Sequence, residues 1–352
     1  MNSLFSRFGL LAVLIALLLP INAVASERVY TVDGRVVFDI PEDYDTVLVT
    51  GGGAFLHGLM DERTIAKITV ENGMGQNEFG SSVTGRFSVT GEGATANNFG
   101  YTEVAGVQSR GSVFNNEVGG TVGTFALSEG NFNNMGEIVT GGTVSSGIFM
   151  DHAGASVTSL DQNAGTVHNS GRIDNLTYTG GAYGWQSGGS IGTLHLAGNS
   201  ANNTRDWGDV HNLRFDSNTA GIVNISGLVN EGFTSDIQVR DTVNLAGARL
   251  QFNLTGTVDE WLGTTTSFDG IFGTNEVENW TDALFRVTWV DGVYSDWLNF
   301  GQTGSLSNGY LVVFNDTGMT VTPEPATLAV IGLGLAGLGY ARRRQMMKTT
   351  AA

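Results

Sequence analysis

GTVGTFALSEGNFNNMGEIVTGGTVSSGIFMDHAGASVTSLDQNAGTVHNSGRIDNLTYTGGAYGWQSGGSIGTLHL, residues 120–196, is the stretch whose reading decides the fold. Gly120-Thr121-Val122, Gly142-Thr143-Val144, Gly165-Thr166-Val167 and Gly189-Ser190-Ile191 recur along it at a near-constant interval. Before or between them lie small polar segments such as Asn115-Asn116, Asn131 with Asn133-Asn134, and His168-Asn169-Ser170-Gly171, which read as turns. Short apolar alternations follow, such as Thr124-Phe125-Ala126-Leu127, Asn175-Leu176-Thr177-Tyr178 and Thr193-Leu194-His195-Leu196. Upstream, Gly85-Arg86-Phe87-Ser88-Val89 and Gly111-Ser112-Val113-Phe114 are degenerate members of the same series.

Strands of three to five residues separated by Gly and Asn corners at a fixed period predict a β-solenoid, parallel β-helix-like, with coils of about 22–24 residues. One coil cannot bury its few inward apolar side chains. Stacking coils about 4.8 Å apart pairs each strand with the next and closes a narrow core. Gly and Asn supply left-handed corners. Pro41 is the only proline between residues 26 and 322, as interior rungs require. No 3.6-residue periodicity is present, and the regular apolar positions argue against low-complexity disorder.

Working outward, residues 26–80 read as a β-rich N-terminal cap and 81–212 as the solenoid. In the cap, Val29–Val32 and Arg35–Phe38 flank Asp33-Gly34, a favoured hairpin turn. Gly51-Gly52-Gly53 reads as a turn, because no Gly-Lys-Ser/Thr follows it. From 213 to 322 glycines thin out, alternating strands lengthen and Trp261, Trp280, Trp289 and Trp297 enter. This is either a continued solenoid with insertions or a separate β-rich region. Within it, Glu276 to Arg286 suggests one short helix with Val277, Trp280 and Leu284 on one face.

The two ends carry targeting signals. Residues 1–25 combine basic Arg7, an apolar core from Gly9 to Leu19, Pro20 and the small-residue site Ala23-Val24-Ala25, which predicts a secretory signal peptide. At the other end come Pro323-Glu324-Pro325, an uncharged run from Ala326 to Tyr340, and Arg342-Arg343-Arg344. As a helix that run spans roughly 22 Å, short of the roughly 30 Å hydrocarbon core. It predicts a transmembrane helix suited to transient insertion, with the arginines held on the cytoplasmic side.

The order of triplet, short apolar helix and arginine cluster over 323–348 resembles the PEP-CTERM sorting signal of exported bacterial proteins. The resemblance implies a tail held in the inner membrane, recognised by a membrane-embedded exosortase and cut near the triplet. It implies a destination at the cell surface or outside the cell.

Residues 26–322 keep 12 of the 17 basic residues and 33 of the 34 acidic ones, a formal charge of −21. Such a surface repels nucleic acid and anionic lipid, whose binding depends on basic contacts. It permits loosely bound calcium on surface carboxylates. There is no cysteine, so neither disulfides nor a thiolate zinc site stabilise the chain.

Chemistry-bearing constellations are sparse. His57, His152, His168, His195 and His211 show no metal-ligand spacing. Asp259-Glu260 and Glu276/Glu278 are the nearest thing to a glycosidase pair but read as solvated edges. Thr121, Thr143, Thr166 and Ser190 occupy matching places in the four triplets and predict a hydroxyl column that could meet sugar or ice. A plainer role for them is satisfying corner backbone groups. Tyr178, Tyr183, Trp185 and Trp207 could form an aromatic sugar platform or cover an open core end. No catalytic residue and no cofactor is expected. The sequence therefore predicts an exported, non-enzymatic surface or extracellular-matrix protein. The alternative is a carbohydrate- or ice-binding module, and a polysaccharide-degrading enzyme is a more distant one. An envelope or matrix polysaccharide is the expected partner beyond the exosortase.

Overall fold

The computed structural model describes residues 28–323, apart from 39, 42–43, 59–63, 198–205, 216–221, 229–230, 236 and 275, together with 332–338, 340 and 342. The signal peptide read over 1–25 lies outside the described residues. The body is all-β, and from Val29 to Trp185 it forms a flattened β-solenoid with two parallel sheets.

A long sheet of 13 strands runs from Val29–Asp33 to Val277–Glu278, and a short sheet of nine strands runs from Val36–Phe38 to Ala182–Trp185. Along the chain the sheets alternate, so one strand from each makes one coil. Inner and outer positions then follow from the two-residue side-chain period of a strand. Val29–Asp33 pairs with Thr46–Thr50, and Val36–Phe38 pairs with Gly53–His57. The segment read as a cap is thus solenoid from its first strand, Val29–Asp33. Asp33-Gly34 is a corner between sheets and not a hairpin, with Gly34 at φ 59°.

Coil length departs from the sequence reading. Residues paired in register from Val29 to Asp209 are 16 to 21 positions apart, not 22–24. The asparagine pairs carry the true period. Asn97-Asn98, Asn115-Asn116 and Asn133-Asn134 lie in strands of the short sheet, in register with one another, and not in turns.

Three inward columns of the long sheet and two of the short sheet fill the core. One column reads Val49, Val70, Val89, Val107, Leu127, Val144. Another alternates large and small: Phe87, Ala105, Phe125, Gly142 and Leu160 follow in register. Across from it, Phe114, Phe132 and Phe149 stack up the short sheet, and the Phe125 ring lies 4.6 Å from Phe132 and 4.9 Å from Phe149. Gly142 has no side chain because Phe125 fills its place: a Cβ there would lie 2.0 Å from the Phe125 ring.

The remaining inward column is polar. His57, Asn77, Asn98, Asn116, Asn134, Asp151 and Asn169 follow one another in register, all buried. Asn77 Nδ2 donates to Asn98 Oδ1 at 2.8 Å, Asn98 to Asn116 at 2.9 Å, Asn116 to Asn134 at 2.8 Å and Asn134 to Asp151 Oδ1 at 2.7 Å. The other N–H of each amide goes to a backbone carbonyl at the start of the next long-sheet strand, those of Tyr101, Thr121, Glu137 and Ser156. Each amide thereby satisfies its own donors and ties its rung to the first carbonyl of the next long-sheet strand.

Asp151 breaks the chemistry of this column without breaking its geometry. A Cβ on Gly136 would meet Asn116 Nδ2 at 2.8 Å, and one on Gly171 would meet Asp151 Oδ2 at 2.3 Å, so Oδ2 stands where the other rungs place a donor. Asp151 Oδ2 and Asn169 Oδ1 are both buried without a partner. A proton on Oδ2 supplies the missing donor. Burial pushes the carboxyl up to about 7, against a smaller lowering by the Asn134 hydrogen bond.

The long sheet does not stop at residue 213. Asp209–Phe215, Val239–Asn244 and Val277–Glu278 extend it, while Ile222–Leu228, Arg249–Leu254 and Leu284–Trp289 form a second parallel face opposite them. The solenoid thus continues with longer insertions and ends on a four-stranded antiparallel sheet of Thr265–Thr266, Gly318–Pro323, Tyr310–Asn315 and Thr303–Ser305. Phe252, Phe285 and Phe314 join these layers, with Phe285 5.0 Å from Phe314. The helix expected over Glu276 to Arg286 is replaced by a strand, a single 3-10 turn at Trp280–Asp282 and the strand Leu284–Trp289. Main-chain pairing with Val243 and with Arg249–Leu254 overrides the local apolar spacing.

Two outcomes test this core. Gly142→Ala forces the Phe125 ring aside and costs about 1–3 kcal/mol, whereas Gly106→Ala, whose Cβ would sit 3.6 Å from Ser88 Cβ, is tolerated; thermal unfolding of the secreted protein separates the two. For Asp151, the folded state keeps a proton that the unfolded chain releases near its ordinary value of 3.8. Stability therefore falls as pH rises from about 4 to about 7, by about 4 kcal/mol in full. Asp151→Asn removes that slope and raises the urea midpoint at pH 8; a variant no more stable than the parent at pH 8 contradicts the protonated rung.

Candidate functional site

The chain leaves its last sheet at the sorting triplet. Gly318–Pro323 pairs with Tyr310–Asn315, and the final register pair is Tyr310 with Pro323. Pro323 has no N–H to offer a ladder. Glu324, Pro325, Arg343 and Arg344 lie outside the described residues. Beyond them a short helix covers 332–338, with Leu333, Leu335 and Leu338 between 65 and 74% exposed, and Arg342 is exposed as well. Among the described residues no helix is long and apolar enough to cross a membrane.

The hydroxyl column dissolves. Thr121 opens a long-sheet strand beside Tyr101 and Glu137, whereas Thr143 is the seventh residue of Glu137–Val144, beside Ala126 and Asp161. Thr166 is on the short sheet between Ile148 and Ala182, and Ser190 is back on the long sheet between Arg172 and Asp209. The interval between triplets overshoots the coil length, so successive triplets drift around the perimeter.

The aromatic group is a plug rather than a platform. Tyr178, Tyr183 and Trp207 are buried, with Trp207 4.8 Å from Tyr183 at 25° and 5.1 Å from Tyr178 at 81°. The short sheet ends at Ala182–Trp185, and the Trp207 indole covers the core where the next rung would lie. Burial pushes the Tyr183 phenol well above its usual range, and the Asn169 amide donates to its oxygen at 3.0 Å. Trp185 stays partly exposed but is tied back, its Nε1 donating to the Gly189 carbonyl at 2.8 Å.

Register sorts the outer surface into two unlike faces. From Gly53–His57 to Ala182–Trp185, the outward positions of the short sheet carry no Asp, Glu, Lys or Arg among the described residues. One outer column includes Thr95, Val113, Asn131, Ile148 and Thr166; the other includes Asn97, Asn115, Asn133, Met150 and His168. Asn133 donates to Asn115 at 2.7 Å and Asn115 to Asn97 at 2.8 Å, a second amide ladder running opposite to the inner one. The long sheet instead presents Glu103, Glu137, Asp161, Arg172, Asp174, Asp209, Arg214, Arg240 and Asp241. Arg172 meets Asp174 and Arg240 meets Asp209, each at 2.6 Å, and His211 lies 3.1 Å from Asp241.

The remaining candidates are scattered. His57 is buried in the inner column, His168 sits in a strand of the short sheet rather than a turn, and His195 pairs with Thr177 and Arg214. Among the described residues no three His, Asp or Glu are grouped to hold a metal ion. Asp259 lies in the 3-10 turn Val258–Trp261 and accepts the Tyr310 hydroxyl at 2.8 Å, which raises the Tyr310 phenol. Glu276 and Glu278 face solvent at the end of the long sheet. The sequence reading missed both amide ladders, although the evenly spaced Asn-Asn pairs display them.

No curated protein and no solved structure matches the chain. The family model for the PEP-CTERM protein-sorting motif matches residues 321–345, beginning within the last strand of the body and running through the exposed helix to the arginine cluster. By that motif the protein is an exported one whose C-terminus is addressed to an exosortase-type processing enzyme.

Proposed function

We propose that this is a non-enzymatic structural protein of the cell surface or extracellular matrix, delivered by its C-terminal signal. The tail inserts transiently in the inner membrane, with Arg342, Arg343 and Arg344 on the cytoplasmic side. An exosortase-type enzyme cuts near Pro323-Glu324-Pro325 and leaves the solenoid outside. The observation that carries this reading is the sorting motif at 321–345, which begins in the strand Gly318–Pro323. A cut beyond Pro323 leaves the antiparallel sheet intact.

Outside the membrane, the solenoid works as a rigid, two-faced bar. Its charged long sheet stays hydrated, and the net negative charge of the body keeps copies apart, since like charge opposes close approach. Its uncharged short sheet is a flat amide and aliphatic surface over nine strands, roughly 38 Å at the usual strand spacing. That face suits lateral contact with an uncharged matrix polysaccharide, giving adhesion or scaffolding. The acidic body gathers calcium loosely, as counterions. Recognition of sugar or ice through Thr121, Thr143, Thr166 and Ser190 loses its basis as a column, because Thr166 is on the short sheet, Thr143 is in a different long-sheet column, and Thr121 and Ser190 are separated in theirs by Glu137, Ser156 and Arg172.

The test follows the tail. Mass spectrometry of protein recovered from the cell surface or medium is expected to find a C-terminus near Pro323 to Pro325, lacking Arg342 to Arg344. Replacing Pro323, Glu324 and Pro325 by Ala is expected to hold full-length chain in the inner membrane. Parent protein recovered only there, with its arginines intact, overturns the delivery scheme.

A further inference from the structure

A cleft of about 180 Å³ opens in the C-terminal region at the end of the long sheet, between the loop around Phe268 and Asp269, the 3-10 turn of Trp280, Phe300, and the Asn315–Asp316 turn. Its wall includes the half-buried indole of Trp280, held in place from behind. The indole stacks on Phe268 at 4.9 Å and 16°, and lies 6.2 Å from Phe285 at 15°. The preceding residue, Asn279, is the one non-glycine residue with positive φ among the described residues, at 62°. Its amide donates to Asn244 Oδ1 at 3.0 Å, which fixes the kink that presents the ring. A conformation of this kind persists where the surroundings over-determine it, and such positions concentrate at binding sites.

The polar lining defines the ligand. Asp269 and Asp316 stand exposed at the cleft, and among the described residues no cation or hydrogen-bond donor engages either carboxylate. The Asp269 loop is set by its own backbone, the Asp269 N–H donating to Ser267 Oγ at 3.1 Å. No Lys, Arg or His lines the cleft, so an anionic ligand finds no counter-charge. Two free acceptors next to an aromatic face suit a ring with hydroxyl donors on its edge and C–H groups on its face. The volume lies below the roughly 300–1,000 Å³ of drug-sized sites, which limits the occupant to a single ring.

We propose that this cleft binds one pyranose ring of a neutral saccharide, stacked on Trp280, with its hydroxyls donating to Asp269 and Asp316. The site does not depend on how the protein is delivered, and it gives the chain a sugar contact separate from the short-sheet face. It also differs from the solenoid aromatics Tyr178, Tyr183 and Trp207, which are consumed by packing.

The experiment is isothermal titration of the secreted protein with neutral gluco-, manno- and galacto-oligosaccharides, and with uronic-acid oligosaccharides as the charged counterpart. At least one neutral series is expected to bind and the uronates are not. Trp280→Ala is expected to weaken binding at least tenfold, and Asp269→Asn with Asp316→Asn to weaken it comparably, while Trp185→Ala leaves it unchanged. The two surface Asp→Asn changes keep the test valid if Trp280→Ala disturbs folding, which circular dichroism reports. Absence of binding to every neutral series, or binding undiminished in the Asp269/Asp316 variant, overturns the proposal, as does preference for the uronates.

Discussion

Each coil from Asn77 to Asn169 turns its corner over a buried side chain of the same column, and the solenoid depends on that contact. Where the chain swings from the short sheet to the long one, the amide of the rung below bonds the first carbonyl of the new strand. A buried amide left without partners costs about 1–3 kcal/mol. The Asn column avoids this cost at successive coils, and because each amide bonds both the next amide and a corner carbonyl, the corners are locked in register. A slip of one residue would send the whole column to the surface.

The hydrophobic columns are subordinate to this arrangement. With the corners fixed, the interior has room for three side-chain columns against two, and the core packs by trading size between neighbouring rungs, as Phe125 does with Gly142. The same economy explains the composition. Glycine is abundant because corners and tight rungs need it, proline is almost absent because interior rungs need every N–H, and from Gly53 to Trp185 exposed charge among the described residues falls on the long sheet and the turns. When the amide column runs out above Asn169, the short sheet lasts one rung more and Trp207 closes the core.

How far the sequence could be read follows from which signals are local. Stacked coils, all-β architecture and the sorting tail were legible, because Gly corners, period-two alternation and the Pro-Glu-Pro to arginine order are short-range patterns. The coil length was not, because Gly-Thr-Val is a local turn-and-strand preference that occurs at more than one corner of the same coil. Counting it once per turn merged different corners into one series and produced a hydroxyl column that register disperses. The Asn-Asn pairs held the true phase. They were read as turns because asparagine prefers turns, a preference that a buried amide ladder overrides. Trp280 and Asp269 come together only through tertiary packing, and no spacing in the chain announces the cleft.

The inner ladder also bears on how such a chain can change length. A whole coil is the unit in which material can be gained or lost: removing residues 113–130 would join Ser112 to Asn131 and bring Asn134 into register above Asn98, with every corner still capped. An insertion or deletion inside a short-sheet strand moves an amide out of the column, whereas the corners absorb a few residues, since the column stays in register across coils of different length. Related chains are therefore expected to differ by integral turns or by a few corner residues, with larger irregular insertions tolerated past residue 213, where the ladder no longer sets the count.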